Sequence, residues 1–226
     1  MARRNATRDA QSVAVIGLGR FGRALAIELV DSGAEVLGID TDEDIVQSLN
    51  GVLTHVVRAD STREAALEQL GIDSFDRVVI AIGSDIQASI LTASLLKRRG
   101  TVEIWAKAIS EQHGLILEQI GISHVVYPEA DMGRRVAHLV RGSMLDYVRL
   151  DDDLVVAVTQ VPGEATGGAI GELQLHEKHG VGVIRVKRDG RWMPVAPDTA
   201  LVSGETIVVI GPEKQTERFC SLSPAV

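Results

Sequence analysis

Three glycines with the spacing G-x-G-x-x-G, namely Gly17, Gly19 and Gly22, directly follow the apolar run VAVI at positions 13–16. Where this spacing joins a strand to a helix, the first glycine permits a tight turn and the second lets the backbone approach a phosphate. The third lets the helix pack closely on the sheet, and the N–H groups at the helix start hold the anion. We therefore predict a nucleotide-binding loop composed of Gly17, Leu18, Gly19, Arg20, Phe21 and Gly22. The alternative is a tight turn that binds no ligand.

Two charged residues near this loop decide what kind of nucleotide it suits. Arg20 lies between the second and third glycines, where a guanidinium can clamp a phosphate with two hydrogen bonds. The alternative for Arg20 is an ordinary exposed helix residue. Asp40 ends the next apolar run, 18 positions after Gly22, where a carboxylate can bind ribose hydroxyls and repel a 2′-phosphate. Arg20 thus raises the question of whether the nucleotide is a redox cofactor or a signal with more phosphate charge.

Further candidate residues follow the third, fourth and fifth apolar runs. They are Asp60 and Ser61, then Ile82, Gly83, Ser84 and Asp85, and finally Lys107. Because the carboxyl ends of parallel strands meet at one edge of a sheet, we expect these residues to border the same crevice as the glycine loop. The polar residues of the first two groups are also explained as caps of the helices that follow them. Lys107 is also explained as a solvated strand end.

The segment from Ser12 to about Arg141 alternates short β-branched runs with segments of helical period. The runs are VAVI (13–16), EVLGID (35–40), THVVR (54–58), RVVIAI (77–82), VEIWAKA (102–108) and HVVY (124–127). The helical segments are 20–32, 42–49, 62–70, 86–99, 111–120 and 129–141. Four helices end at a glycine typical of a left-handed cap, at Gly33, Gly71, Gly100 and Gly121. This alternation predicts an α/β fold with a Rossmann-type parallel sheet that is covered on both faces.

The alternation changes after residue 141, which indicates a second, smaller α+β domain. Its predicted elements are the strands DYVRL and LVVAVTQV, a glycine-rich link (Gly163, Gly167, Gly168), a short helix at 170–177, the strands VGVIRVKR (181–188) and ETIVVIG (205–211), and a helix at 213–219. The segment RDGRW at 188–192 is a hairpin-turn signal. We therefore divide the chain into a disordered tail at 1–11, the Rossmann-type domain at 12–141 and the α+β domain at 142–226.

The composition is typical of a soluble globular protein, with 45% hydrophobic and 24% charged residues. The net charge of −8 argues against general binding to nucleic acid or to anionic lipid. Cys220 is the only cysteine, so neither an intrachain disulfide nor a cysteine-based zinc site is available, which fits a reducing cytoplasm. The start MARRNATRDAQ lacks the apolar region of a secretory signal, and no apolar run approaches the roughly 18 residues of a membrane helix. We expect a cytoplasmic protein that reaches a membrane only through a partner.

A glycine-rich loop alone does not separate a binding protein from an enzyme. A small NAD-dependent dehydrogenase would need a proton donor close to the nicotinamide. The histidines at 55, 113, 124, 138, 176 and 179 form no evident catalytic group, and His176 with His179 lacks a third metal ligand. A DNA-binding repressor is disfavoured by the acidic charge and by the lack of a helix-turn-helix segment. These observations favour a nucleotide-binding regulator over an enzyme, with the dehydrogenase as the alternative.

Six ordered segments resemble the RCK (regulator of potassium conductance) family: VIGLGRFG, EVLGID, RADST, VVIAIGSDIQASILTASLLK, IWAKA and YPEADMG. The likeness covers nearly the whole chain and is greatest to KtrA/TrkA-type cytosolic regulators of bacterial potassium uptake. It identifies the two predicted domains as RCK_N and RCK_C (TrkA-C). It implies a regulatory subunit whose dimers form an octameric ring at the inner face of the cell membrane. A membrane potassium transporter of the KtrB/TrkH type is the implied partner.

The resemblance also implies ligands and roles for single residues. Family members bind ATP, ADP or NAD(H) in the Rossmann crevice, and exchange of one for another would shift the conformation of the ring. Arg20 would read the terminal phosphate of ATP, Asp40 would hold the ribose, and Lys107 would lie in the same site. Glu129 of the YPEADMG segment would join a divalent or sodium cation site between subunits. Its alternative is a first-turn helix acid favoured by the helix dipole.

KtrA-like proteins also bind cyclic di-AMP across a dimer of RCK_C domains, in a region that resembles residues 170–197. This chain departs from the family pattern there, because HEKHG, with His176 and His179, stands where an arginine-containing stretch is expected. Ile184, Arg185 and Pro197 remain as contacts that the resemblance implies. Cyclic di-AMP stays an open alternative that ranks below the nucleotide.

The helix predicted after Pro128 carries an apolar stripe at helical spacing, made of Val136, Leu139, Val140 and Met144. The stripe is wider than packing on one sheet face requires. It either joins a core or mediates association with a second copy of the chain.

Overall fold

The computed structural model describes residues 11–101, 103–141 and 144–222, and the chain divides into two compact units between Glu129 and Ala130. The strands described in the first unit are β1 (Ser12–Ile16), β2 (Glu35–Asp40), β3 (His55–Arg58), β4 (Arg77–Ile80), β5 (Ile104–Lys107) and β6 (His124–Val126). They form a parallel sheet with the order β3-β2-β1-β4-β5-β6. The predicted Rossmann-type sheet is confirmed.

Both faces of this sheet are buried, because alternate residues of strands β1 to β5 enter two different cores. In β1, Ala14 and Ile16 join one cluster, whereas Val13 and Val15 join the other. The helices of the first unit are α1 (Arg20–Asp31), α2 (Glu43–Leu49), α3 (Glu64–Gln69), α4 (Ile86–Arg98) and α5 (Glu111–Ile120). Helices α1 and α2 contribute to the second cluster, and α3, α4 and α5 contribute to the first. Burial on both sides explains why the strands read as continuous apolar runs.

The helices lie within two residues of their predicted positions. The largest difference, at the start of α3, has a local cause. Helix α3 begins at Glu64 rather than at Thr62, because Asp60 accepts hydrogen bonds from the N–H and hydroxyl of Thr62 and forms a turn there. Strand β4 ends at Ile80, two residues before the predicted end. The predicted glycine caps are confirmed by positive φ angles at Gly33, Gly71, Gly100 and Gly121.

The second unit contains an antiparallel sheet with one face packed into a core. Its strands are β7 (Asp146–Arg149), β8 (Leu154–Gln160), β9 (Gly182–Arg188), β10 (Arg191–Pro194) and β11 (Thr206–Pro212), in the order β10-β9-β11-β8-β7. Helix α6 (Pro128–Val140) precedes them, and α7 (Ile170–Leu173), α8 (Leu175–His179) and α9 (Glu213–Cys220) follow β8 or β11. Along β8, Val155 and Ala157 are buried while Val156 and Val158 are only partly buried. This alternation is typical of a sheet covered on one face, and the predicted α+β fold is confirmed.

Two details of the second unit differ from the sequence-based expectation. The helix predicted at 170–177 is two short helices, because Gln174 adopts a left-handed conformation with φ of 51° between them. Strand β10 was not predicted, since its four residues are too few to show an alternating pattern. The turn signal before β10 is confirmed by positive φ angles at Asp189 and Gly190, as a two-residue hairpin turn of type I′ requires.

The apolar stripe expected on α6 divides between the core and the surface. Met144 is buried in the second core and Leu139 packs against it. Val136 and Val140 remain exposed, at 44% and 79%, and Met132 is exposed at 54%. Met132, Val136 and Val140 are spaced four residues apart along α6 and form an exposed row, here called the α6 ridge. Of the predicted stripe, Val136 and Val140 are therefore the residues left for contact with another surface.

Parts of two expectations fall outside the described residues. These are the disordered tail, of which residues 1–10 are not described, and the domain boundary, where residues 142–143 are not described. Both stay predictions. Among the residues that the structure describes, no helix is long and apolar enough to cross a membrane. Cys220 lies in the second core, where burial raises the pKa of its thiol to about 11.

Glu213 connects α9 to β7 and is expected to make the stability of the second unit depend on pH. Its Oε1 atom accepts hydrogen bonds from the Tyr147 hydroxyl at 2.6 Å and from Arg149 Nη2 at 2.5 Å. The hydrogen bond from Tyr147, and then the charge of Arg149, hold the pKa of Glu213 below its ordinary value of 4.5. A depressed pKa in the folded state stabilises the protein above the unfolded pKa, and that stabilisation is lost as pH falls through the folded pKa.

We therefore expect Glu213→Gln to lower the free energy of unfolding by about 2 kcal/mol at pH 7. The difference from the wild type should shrink as pH falls below the ordinary glutamate pKa. Urea unfolding at pH 7 and at acid pH, followed by circular dichroism, measures both effects. Tyr147→Phe is the matched control, because it removes one hydrogen bond and leaves the ion pair with Arg149. A pH-independent loss in Glu213→Gln would contradict the assignment.

Candidate nucleotide-binding site

A cleft of about 900 Å³ opens at the carboxyl edge of the parallel sheet, within the first unit. It lies where the strand order reverses between β1 and β4, which is the usual ligand position in such sheets. Of the predicted candidate residues, those that line the cleft are Gly17, Gly19, Arg20, Phe21, Asp40, Asp60, Ser61, Ile82, Gly83, Ser84, Asp85, Lys107 and Glu129. Leu18 and Gly22 do not line it.

The three glycines have three different surroundings. Gly17 has φ of +90°, and an added Cβ would lie 2.9 Å from the backbone nitrogen of Ile82. At Gly22 an added Cβ would lie 1.9 Å from the carbonyl oxygen of Gly17, so only glycine lets α1 approach the loop. At Gly19 an added Cβ would meet nothing within 4 Å, so this position faces open space. A ligand can therefore approach the backbone at Gly19 without obstruction.

The start of α1 has the features of an anion site. Gly19 is its N-cap residue and supplies no side-chain hydrogen bond, and no acidic residue lies in the first turn. The first N–H groups of a helix have no partner within the helix, and the helix dipole places partial positive charge there. A phosphate at this position would satisfy those donors, as in other glycine-rich loops.

Arg20 adds a full positive charge at the same helix end. Its side chain is exposed and lines the cleft. Among the described residues it has no hydrogen-bond or ion-pair partner, although its charge contributes to the low pKa of Glu129. An unpaired guanidinium beside free helix N–H groups can bind a phosphate oxygen without first breaking another ion pair.

Asp40 is held in place by two backbone N–H groups. Its Oδ2 accepts from Leu18 at 2.6 Å, and its Oδ1 accepts from Asp42 at 3.0 Å. The side chain of Leu18 itself is buried in the core, so its backbone N–H is the part that contacts the site. Each carboxylate oxygen has a second lone pair, so Asp40 can still accept from ribose hydroxyls.

Lys107 and Glu129 form an ion pair in the lining of the cleft. Lys107 Nζ lies 2.5 Å from Glu129 Oε1, and its ammonium also lies 5.8 Å from the centre of the Phe21 ring. The lysine side chain is 10% exposed and that of Glu129 is 63% exposed. The hydrogen bond from Lys107, with a smaller contribution from the charge of Arg20, lowers the pKa of Glu129. The charge of the buried lysine is thus balanced by Glu129 within the site.

The remaining polar candidates are used partly by the protein itself. Asp60 accepts from the hydroxyl and N–H of Thr62, which lowers its pKa. The Ser61 hydroxyl is buried and lies 2.9 Å from the Thr92 hydroxyl. Asp85 accepts from the N–H of Ala88 and is the N-cap of α4, as the capping alternative expected. Ser84 is exposed at the rim.

Several residues that line the cleft were not predicted from the sequence. They are Ile16, Ile39, Thr41, Asp42, Ile45, Ala59, Thr62, Ala81, Ala88 and Ile109. Thr41 directly follows the end of β2, and Ile109 lies two residues past the end of β5, which is the signal that could have found them. Asp42 is the N-cap of α2 and accepts from the N–H groups of Asp44 and Ile45. The acids of the lining thus outnumber its two cations, Arg20 and Lys107.

Neither a metal cluster nor a histidine marks this cleft. Within the described ranges no group of three or more His, Cys, Asp and Glu side chains could hold a metal ion. Glu129 is therefore a single carboxylate that already binds Lys107. His113 is buried in α5, and its burial lowers its pKa so that the imidazole is neutral near pH 7. No histidine is among the described residues that line the cleft.

The chain matches two family models and a full-length relative. Residues 13–128 match the TrkA-N domain and residues 154–223 match the TrkA-C domain. The Ktr system potassium uptake protein C of Bacillus subtilis (strain 168) is 39% identical over 209 residues, which is 91% of this chain and 94% of that protein.

Solved structures share the fold. A structure of the GsuK channel bound to NAD has a TM-score of 0.65 at 18% identity and covers 97% of this chain. A structure of GsuK bound to ADP has a TM-score of 0.51 at 26% identity and covers 60% of this chain. The chain spans only 41% and 35% of the length of these two structures. The first likeness concerns the fold alone.

Proposed function

Since the chain belongs to the RCK family defined by its TrkA-N and TrkA-C domains, we propose that it is a nucleotide-sensing regulatory subunit of a membrane potassium transporter. Its relative in Bacillus subtilis is a potassium uptake protein that it matches over nearly its whole length. The single observation that carries the proposal is Arg20, which has no partner among the described residues and lines the cleft beside the start of α1. We propose that Arg20 distinguishes nucleotides by the number of their phosphates.

ATP and ADP are the proposed ligands, with NAD(H) as the alternative. The glycine loop would hold the phosphates shared by all three, and Asp40 would bind the ribose. Only ATP would extend a terminal phosphate to Arg20. A related structure has been solved with ADP, which supports an adenine nucleotide. Turnover of NAD with any metabolite would contradict a regulator and favour the dehydrogenase.

Regulation requires that the ligand bind two conformations with different affinity. A charge-assisted contact to a phosphate contributes about 1.5–3 kcal/mol. Moving an equilibrium from one state almost completely to the other needs about 5.5 kcal/mol. One such contact per site is therefore too weak alone, but the same contact repeated around a ring of subunits is sufficient.

Association into dimers and an octameric ring is the proposed assembly. The α6 ridge offers an exposed apolar surface for it, with Val140 exposed at 79%. We place the ring at the cytoplasmic face of the cell membrane, docked on a transporter subunit of the KtrB/TrkH type. A monomer at micromolar concentration in sizing experiments would contradict the ring.

The deciding experiment joins the chain to its proposed partner. The protein is co-purified with a potassium transporter membrane subunit and reconstituted, and potassium flux is measured with ATP, with ADP and without nucleotide. We expect flux to differ between ATP and ADP, and to lose that difference in Arg20→Ala. Equal flux under all three conditions, in a complex that binds both nucleotides, would remove the proposed function.

A cation site at Glu129 is proposed as part of the nucleotide site. Because Glu129 is one carboxylate, the cation would need further ligands from the nucleotide phosphates or a second chain. We expect Mg²⁺ to raise the ATP affinity of the wild type about tenfold more than that of Glu129→Gln, as titration calorimetry can measure. Glu43→Gln, at an exposed glutamate paired with Arg58, is the control. An unchanged Mg²⁺ effect in Glu129→Gln would exclude this ligand.

Cyclic di-AMP is proposed as a second ligand only for the unit that holds β9. Arg185 is exposed on β9 beside the half-buried Ile184, and Pro197 accepts a hydrogen bond from Gly171 of α7 through its carbonyl. His176 is exposed and His179 is half-buried at the end of α8. Calorimetry with cyclic di-AMP, compared between wild type and Arg185→Ala, tests this assignment.

A further inference from the structure

The hairpin formed by β9 and β10 concentrates positive charge on an acidic chain. Residues 185–194, here called the basic hairpin, contain Arg185, Lys187, Arg188 and Arg191 but only one acid, Asp189. The whole chain carries a net charge of −8. At physiological salt the electrostatic potential of a charge is screened over about 8 Å. A partner that contacts the hairpin therefore interacts with these local cations and not with the net charge of the chain.

The hairpin has a tight turn and lies at the edge of its sheet. The type I′ turn at Asp189 and Gly190 joins its strands without a loop. Among the described strands β10 pairs only with β9, and all four of its residues are exposed. The register places Trp192 opposite Lys187 and Pro194 opposite Arg185. Trp192, Lys187 and Arg185 therefore share one face of the hairpin.

Among the residues that the structure describes, no acid neutralises three of the four cations. Arg188 is occupied, because its Nε lies 2.6 Å from Glu205 Oε1. Arg185 donates to the carbonyl of Ile184, and the Lys187 ammonium lies 5.6 Å from the Trp192 ring centre. Within the part of the chain that the structure describes, neither of these two residues nor Arg191 forms an ion pair with a carboxylate.

Two large apolar side chains accompany these cations at the surface. Trp192 is 43% exposed and Met193 is 46% exposed. They project to opposite faces of β10, so apolar area flanks the strand on both sides. Tryptophan beside lysine and arginine is the combination that favours the interface between water and lipid headgroups. A single aromatic ring already covered on one side by Lys187 is poorly suited to stacking with successive nucleic-acid bases.

We propose that the basic hairpin docks on the anionic headgroups of a phospholipid membrane. The proposal rests on the proposed function, which brings the chain to a membrane through its transporter partner. Arg185 and Lys187 would contact lipid phosphates, while Trp192 on the same face of the hairpin enters the interface. Each basic residue at an anionic surface contributes about fivefold in affinity, so the two give roughly 25-fold. Association of several chains would multiply this weak contact.

Vesicle binding of the full chain tests the proposal. Co-sedimentation is measured with vesicles of phosphatidylcholine containing about one third phosphatidylglycerol, which supplies the anionic charge, and with pure phosphatidylcholine. We expect binding to the anionic vesicles alone, with a blue shift of tryptophan fluorescence that disappears in Trp192→Phe. The double variant Arg185→Gln/Lys187→Gln, which removes both cations of the docking face, should bind about 25-fold more weakly. The matched control Lys178→Gln/Lys214→Gln removes the same charge from exposed sites of the same unit.

Three outcomes would overturn the proposal. They are failure of the wild type to bind anionic vesicles, equal loss of binding in the two double variants, and displacement from vesicles by inorganic phosphate or RNA at low concentration. ATP binding is measured for every variant, because the nucleotide cleft lies in the other unit. Normal ATP binding with absent vesicle binding would reject the hairpin and retain the proposed function. Vesicle binding without any nucleotide binding would support the hairpin and reject the proposed function.

Discussion

Replacing Arg20 with alanine is expected to weaken ATP binding about tenfold to a hundredfold while changing ADP binding by less than about threefold. The guanidinium lines the cleft beside the free N–H groups of α1, and among the described residues it has no ion-pair partner. Its removal therefore leaves no buried charge unpaired, and the loss reports the contact with the ligand. Titration calorimetry of each nucleotide measures both affinities.

Arg23→Ala is the matched control for this variant. Arg23 is an exposed arginine one turn along the same helix, its Nη1 lies 3.5 Å from the Ser48 hydroxyl, and it does not line the cleft. We expect its ATP and ADP affinities to equal those of the wild type. Arg20→Lys should fall between wild type and Arg20→Ala, because lysine keeps the charge but loses the two-pronged geometry. Equal losses for ATP and ADP in Arg20→Ala would remove the terminal-phosphate role.

Replacing Gly22 with alanine is expected to destabilise the first unit by about 3 kcal/mol or more. The added Cβ would lie 1.9 Å from the Gly17 carbonyl oxygen, and 3.0 Å from the Cβ of Ala81. Both contacts are with packed backbone or core atoms, so α1 must move away from the sheet to relieve them. Loss of soluble expression or a large decrease in the thermal midpoint measures this effect.

Gly19→Ala tests whether the open space at this position is used by the ligand and not by the packing of the protein. An added Cβ meets no protein atom within 4 Å, and the backbone at φ of −63° and ψ of −171° suits alanine. We expect the stability to change by less than about 1 kcal/mol, as for other N-cap substitutions of glycine. Nucleotide affinity should still decrease at least tenfold, because the methyl group occupies the space through which a phosphate reaches the backbone.

These two alanine variants have opposite expected results, which makes the pair informative. A stable Gly22→Ala protein with normal binding would contradict the close packing of α1 on the glycine loop. A Gly19→Ala protein that binds ATP as tightly as the wild type would place the phosphates elsewhere in the cleft. A Gly19→Ala protein that fails to fold would show that the space at this position is needed by the protein itself.

The local features of the fold were predictable from the sequence alone. Continuous apolar runs such as VAVI indicated strands buried on both faces, and glycines such as Gly121 marked helix ends because only a residue without Cβ adopts that backbone readily. The loop at Gly17 and the acid at Asp40 were found for the same reason. The loop and the acid are both recognised by their spacing along the chain. They lie at one edge of the sheet because the carboxyl ends of parallel strands share that edge.

Short elements and side-chain partners were not predictable in the same way. Strand β10 has only four residues, so it showed no period, and the break at Gln174 depends on a left-handed conformation that its residue type does not signal. Leu18 was expected to contact the ligand, but the loop turns its side chain into the core and leaves only its N–H at the site.

The sequence by itself predicted a glycine-rich turn between a strand and a helix with an arginine in it, because turn, strand and helix propensities act between near neighbours. The tertiary structure decided which charges are free to act. Arg20 has no ion-pair partner among the described residues, whereas Lys107 pairs with Glu129, a residue 22 positions away. The tertiary structure likewise shows which apolar residues near α6 are buried: Met144 lies in the core, whereas the α6 ridge is exposed. Such contacts depend on how strands and helices pack in space, and spacing along the chain does not record that.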